Sequence, residues 1–145
     1  MQFQRHLFWI ISRSATAAYS RLPIFGALRA AVGVIRKGEL VLVIARNDGR
    51  GLSFPGGFAW PWETSEACIR REVSEETGLR VKSAARLFEY HSSADVPVNI
   101  CVFEIETEGG LNDSWEGSPV WLPLVEIRPR LLPSQKPIAD RLTDH

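Results

Sequence analysis

Three glutamates, Glu72, Glu75 and Glu76, fall at i, i+3 and i+4 of a segment that reads as a helix. At that spacing they share one helical face, with side-chain origins about 5–6 Å apart. Like charges so placed repel, and a solvated acidic face is the ordinary outcome for such a cluster. This one has company. Ile69 and Val73 supply an apolar side that packs inward and fixes where the acidic edge lies. Gly56-Gly57, just upstream, leaves bare backbone whose carbonyl can act as a further oxygen ligand; a plain tight turn is the simpler reading. An all-carboxylate set suits hard divalent cations, Mg²⁺ or Mn²⁺, and such a cation would relieve the repulsion and hold all three groups ionised.

The wider spacing carries a pattern: Gly57, five residues, Glu63, seven residues, Arg71-Glu72-Val73, one residue, Glu75-Glu76, one residue, Gly78-Leu79. It resembles a complete Nudix box, running from Gly57 to Leu79. With average residue frequencies a chance match in one chain is on the order of 10⁻⁷. The resemblance implies an α/β/α sandwich around a mixed sheet, with the box forming a loop-helix-loop. It further implies that Glu72, Glu75 and Glu76, with the Gly56 carbonyl, bind Mg²⁺ or Mn²⁺, while Glu63, Arg71 and Gly57 orient the loop and helix. The activity implied is hydrolysis of a diphosphate joining a nucleoside to another group, by water attack on phosphorus. That bond is a poor electrophile because its charged oxygens repel an incoming water, so cations on those oxygens and a carboxylate to take the proton are the catalysis required.

Other residues are candidates for completing such a site. Trp115-Glu116-Gly117-Ser118-Pro119 resembles a late-loop segment of the mutator-type, 8-oxo-dGTP-hydrolysing members of that family, which nominates Glu116 as extra ligand or general base, with Glu72 as the competing base. The same comparison sets Gln135 where an amide reads the base. The loop Phe58-Ala59-Trp60-Pro61-Trp62 departs from the family's usual polar pattern, and Trp62 stands where a glycine precedes the glutamate. Trp60 and Trp62 are either a wall on which a base or apolar group stacks or rings packed on the N-terminal helix. Arg46 is a candidate phosphate contact, although loop arginines more often face solvent.

The elements that must position these residues follow from periodicity and turn signals. Residues 4–22 read as an amphipathic helix, stopped by Pro23 and Gly26. Ala27–Arg36 and Leu40–Arg46 read as a hairpin about Lys37-Gly38, and Leu52–Phe54 as a short strand. The glutamate helix starts near Thr64 or Ser65 and ends at Gly78, a residue suited to the left-handed cap. Arg86–His91, Val98–Glu106 and Val120–Leu124 read as strands, and Ser134–Leu142 as a final helix. Two segments are expected: residues 1–26, the helix, and 27–145, the Nudix-type domain.

Composition bounds the remainder. A chain of 145 residues, 45% hydrophobic and 23% charged, is one globular unit with no stretch near the roughly 20 apolar residues a bilayer crossing needs. Seventeen basic residues balance seventeen acidic ones, so no specific nucleic-acid partner is expected. Six basic and no acidic residues precede Glu39, and Trp9 and Ile10 project away from the apolar stripe of the N-terminal helix, which is either covered by another element or a candidate homodimer or membrane-surface contact. Cys68 and Cys101 are too few for a disulfide scaffold, and a reducing, cytoplasmic setting is the default. Two rival functions stay open: a non-catalytic nucleotide-binding or regulatory module on the same fold, and an enzyme for non-nucleotide diphosphates, for which the tryptophans would suit a prenyl chain.

Overall fold

The computed structural model describes residues 28–94 and 96–144. The helix expected over residues 4–22, and the dimer or membrane contact assigned to it, lie outside the described residues. Seven strands are connected in one mixed sheet: β1 (Arg29–Lys37), β2 (Leu40–Arg46), β3 (Leu52–Ser53), β4 (Gly56–Phe58), β5 (Arg80–Ser92), β6 (Val98–Glu108) and β7 (Gly117–Pro123). The order is β3-β2-β1-β6-β5, with β4 also on β1 and β7 also on β2. Among the described residues three α-helices accompany the sheet: α1 (Ser65–Thr77), α2 (Leu124–Ile127) and α3 (Lys136–Thr143).

β1 is shared by two groups of strands. Its Arg29–Ile35 stretch pairs in parallel with Asn99–Ile105 of β6, and Ala30–Val32 also pairs antiparallel with β4. Only its last two residues meet β2. Side chains alternate across a strand, and both faces of β1 are apolar, so both must be covered. Ala31 and Ile35 face one core with Leu42, Cys68, Ile69, Val73 and Phe103, under α1. Val32 and Val34 face the other with Val43, Phe54, Val102, Ile127 and Ile138, under α2 and α3. The result is the expected helix-sheet-helix sandwich. Gly33 lets α1 and β6 pack closely: a Cβ there would stand 3.2 Å from Ile105 and 3.3 Å from Ile69.

Helix α1 is built by the signals read from its sequence. Thr64 Oγ1 accepts the Ala67 N–H at 3.1 Å, and Gly78 closes the C-terminal end with φ 75°. Ile69 and Val73 are fully buried. Burying each contributes roughly 1.5–3 kcal/mol, far more than the propensity of the helix itself. The acidic edge is therefore fixed by what lies beneath it.

Several boundaries differ from expectation. β5 begins at Arg80 rather than Arg86, because register shifts at Val81/Ser83 and Arg86/Phe88 interrupt the two-residue alternation that would have revealed it. Gly56–Phe58, expected as loop, is a strand whose glycines lie against β1. β7 starts at Gly117, three residues early, and pairs with β2 along its whole length. Leu124 opens α2 instead of ending that strand, and the final helix starts at Lys136 after a 3₁₀ turn over Pro133–Gln135.

Candidate active site

The loop before α1 is organised around one ion pair. Glu63 accepts two hydrogen bonds from Arg71, from Nε at 2.9 Å and from Nη2 at 2.8 Å. This fork holds the Glu63 carboxyl below its ordinary pKa, and the same pairing raises that of Arg71. Glu63 Oε1 also accepts the Trp60 N–H at 3.2 Å. Arg71 Nη1 continues to Glu72 Oε1 at 2.7 Å and to Glu75 Oε2 at 3.4 Å. Loop, helix and the outer two glutamates are thus tied through a single guanidinium.

Trp62 fits without strain. The Glu63 N–H donates to the Trp60 carbonyl at 2.9 Å, closing a turn over Pro61-Trp62, and no described non-glycine residue has a positive φ. Pro61 presets the first central position of such a turn, so no glycine is required at the second. Trp60 and Trp62 stack with centroids 5.6 Å apart and planes 5° from parallel. They are 55% and 79% exposed, so these rings present aromatic surface. Arg29, which no sequence signal singled out, braces the turn: its Nη2 donates to the Glu63 carbonyl at 2.6 Å and to the Trp60 carbonyl at 3.2 Å.

The carboxylates converge unevenly. Glu76 is 4% exposed, and its Oε2 accepts the Gly56 N–H at 3.4 Å. Burial, then the charge of Glu116, then a hydrogen bond to Glu72 push its carboxyl well above the ordinary range. Burial and the charge of Glu72 also raise Glu116, while a hydrogen bond to Glu76 and the charge of Arg46 oppose the rise. Glu72, Glu76 and Glu116 therefore lie near enough for their charges to act on one another, although Glu116 comes from a loop 40 residues after Glu76 in sequence. Glu75 stands at the rim, its side chain 59% exposed. Gly57 lies directly against Glu72: a Cβ at that position would come within 2.7 Å of the carboxyl group. Cys68 donates to the Gly57 carbonyl at 3.5 Å, and burial pushes its thiol up to about 12, as suits a packing residue.

Two nominated substrate contacts have partners within the protein. Arg46 forms a fork with Asp48, at 2.6–3.2 Å. Gln135 Oε1 accepts the Phe54 N–H at 2.7 Å, bracing the C-terminal segment against the end of β3. The Gln135 amide N–H₂ is the part left to meet another group.

The donor set is compatible with a hard divalent cation. All its donors are oxygens, and two of the carboxyls are forced toward the neutral form by burial and by one another, a cost a cation would relieve. Among the described residues no three His, Cys, Asp or Glu side chains are gathered as a finished ligand set. Glu72 commits one oxygen to Arg71, and Glu75 is turned toward the same group.

Residues 27–142 match the sequence profile described as the NUDIX domain. The chain belongs to the Nudix family. It is 46% identical over 48 residues, 33% of this chain and 30% of the other, to YtkD of Bacillus subtilis (strain 168), named provisionally as an 8-oxo-dGTP diphosphatase. It is 38% identical over 84 residues, 54% of this chain and 50% of the other, to the ADP-ribose pyrophosphatase of Methanocaldococcus jannaschii. These matches span half or less of each relative's length. The solution structure of the E. coli ORF135 protein superposes with a TM-score of 0.70 at 18% identity, covering 85% of this chain and 93% of that one, which shows the shared fold. Among the described residues no helix is long and apolar enough to cross a membrane.

Proposed function

We propose that the protein is a metal-dependent pyrophosphohydrolase for nucleotides, cleaving a diphosphate linkage by attack of water on phosphorus. The observation that carries this reading is that Glu76 and Glu116 lie close enough, with Glu72, for burial and neighbouring charge to raise their carboxyls, beside Gly56 and Gly57. Glu72, Glu75 and Glu76 would hold Mg²⁺ or Mn²⁺, with the Gly56 carbonyl completing the oxygen set. A bound divalent cation would supply charge neutralisation on the diphosphate oxygens and lower the pKa of coordinated water. Arg71 holds Glu72 in place by its hydrogen bond, and Glu63 holds Arg71. Glu116, half-buried and raised in pKa, takes the proton from the attacking water. Glu72 is the less apt base, because one of its oxygens is already taken by the Arg71 guanidinium.

The relatives' names point to 8-oxo-dGTP and to ADP-ribose, which share a purine nucleoside carrying a phosphoanhydride. That is the substrate class proposed here. The Trp60–Trp62 stack offers a ring face to such a base, and the Gln135 amide a donor. A panel of dNTPs, 8-oxo-dGTP, ADP-ribose and a prenyl diphosphate, each with Mg²⁺, Mn²⁺ or a chelator, tests the reading. Metal-dependent turnover of nucleotides is expected, with phosphate or pyrophosphate identified as product. Turnover of the prenyl compound alone would overturn the substrate class, and no turnover of any diphosphate would favour a binding module.

A further inference from the structure

Glu116 sits at the end of the long loop between β6 and β7, yet its carboxyl must be held against Glu72 and Glu76. Loop ends diverge unless something closes them, and the β2–β7 ladder stops at the pair Arg46↔Gly117, one residue short of Glu116. The residue just after the facing strand, Asn47, extends the pairing. Its backbone N–H donates to the Glu116 carbonyl at 2.9 Å, and its side-chain Nδ2 donates to the Trp115 carbonyl at 3.1 Å. One residue thereby grips two consecutive carbonyls, the side-chain amide standing in for a rung that the backbone alone cannot supply.

The opposing side of the grip is firm. Gly117 is packed on β2 so tightly that a Cβ would run into the Ala45 carbonyl and lie 2.8 Å from Ile44. The Ser114 N–H donates to the Gly117 carbonyl at 3.0 Å, and the Glu116 N–H donates to Ser114 Oγ at 3.3 Å, closing the turn from within. Asn47 itself lies between Arg46 and Asp48, whose side chains are joined by the fork described above. Asp48 also accepts the Arg50 N–H at 3.0 Å, and the Arg46 N–H donates to the Gly51 carbonyl at 3.0 Å. The loop that carries Asn47 is thus cross-tied.

We propose that Asn47 is a positioning residue that holds the Trp115-Glu116 backbone and so sets the Glu116 carboxyl against Glu72 and Glu76. This rests on the role given to Glu116 in the proposed hydrolysis. Asparagine is suited to the task because its short amide donates to a carbonyl, whereas aspartate of the same shape would set a charged acceptor against one. Partners that orient reacting groups typically change activity about 10- to 100-fold when removed.

The test compares Asn47→Ala and Asn47→Asp with the unaltered protein, alone and in a Glu116→Gln background. Asn47 is exposed, so neither change should disturb folding, and thermal melts check this. In both single variants kcat is expected to fall about tenfold, with the substrate KM changed less than about twofold. In the Glu116→Gln background the same changes should add almost nothing, because the group they position is already lost. Independently of activity, amide hydrogen exchange at Glu116 and Gly117 should quicken about tenfold in both variants. Unchanged exchange would overturn the proposal, as would a loss borne by KM or losses that multiply in the double variants. A Glu116→Gln variant with full activity would instead overturn the role of Glu116 in hydrolysis, and the exchange result would still decide whether Asn47 holds the loop.

Discussion

The adjacent glycines of the loop should respond to the same substitution in opposite ways. In Gly57→Ala the new Cβ would stand 2.7 Å from the Glu72 carboxyl carbon and Oε1. Ordinary contact is about 3.5 Å, so the carboxyl must move by about 0.8 Å. The obstacle is the far end of a flexible side chain, which yields by rotating off its preferred torsion, at about 0.5–1.5 kcal/mol. Alanine restricts the unfolded chain and returns about 0.4–1 kcal/mol. The two nearly cancel, so the melting temperature should stay within about 3 °C of the unaltered protein. Activity should not be spared, since a displacement of this size at a reacting centre can cost about 10²-fold. In Gly56→Ala the Cβ would instead run into the Ala31 carbonyl and lie 2.9 Å from the Val32 Cα, both backbone that cannot rotate away. That should weaken the β1–β4 pairing by about 1–3 kcal/mol and lower the melting temperature visibly. Circular-dichroism melts and phosphate release at saturating Mg²⁺ separate the two. Full activity in Gly57→Ala would refute the placing of Glu72 in the machinery. Equal destabilisation of both variants would refute the distinction between a yielding and an unyielding neighbour.

Three further outcomes are expected. Glu76→Gln should lower turnover by at least about 10²-fold, yet in the presence of chelator at alkaline pH it should melt higher than the unaltered protein, because a buried charge has been removed; a lower melting point would count against the crowding of carboxylates. The raised carboxyls of Glu76 and Glu116 have a second consequence. A carboxyl raised by folding contributes stability below its unfolded pKa, and that contribution is lost as pH rises through the folded value. The melting temperature in chelator should therefore decline across that window, and the increment given by Mg²⁺ or Mn²⁺ should grow with pH; an increment flat in pH would contradict the assignment. Trp62→Ala should change the melting temperature by less than about 2 °C, since the ring is 79% exposed, while raising the KM of the preferred nucleotide by about tenfold, as loss of a stacking partner does. An unchanged KM would remove the ring from the substrate site.

The glutamate helix was legible because its determinants are local. Cap, buried pair, acidic edge and C-terminal glycine all fall between Thr64 and Gly78, where spacing alone sets which side chains share a face. The Glu63–Arg71 fork was legible only through the family resemblance, and the structure supplies its geometry. What escaped depends on partners far along the chain. Arg29 braces a turn 31 positions away, and Gln135 accepts a backbone N–H 81 positions away. Nothing near either residue announces this. Arg46, read as a candidate phosphate contact or a solvent-facing loop residue, pairs with Asp48 two residues on, a contact that needs a loop conformation the sequence does not reveal. The early part of β5 was hidden because bulges break the alternation on which strand reading relies.

The division of β1 between two groups of strands bears on how the protein regains competence after denaturation. Glu72 and Glu76 ride on a helix packed chiefly on β1, β4 and β5, whereas Glu116 precedes a strand that pairs only with β2. The seam joining these halves is the hairpin at Arg36 and Lys37, and both long-range pairings, β1 with β6 and β2 with β7, close spans of about 70 residues or more. Contacts of such sequence separation form late, after the chain entropy of closure has been overcome. An intermediate with either half alone would show native-like circular dichroism and remain inert, so recovery of turnover on refolding should trail recovery of secondary structure.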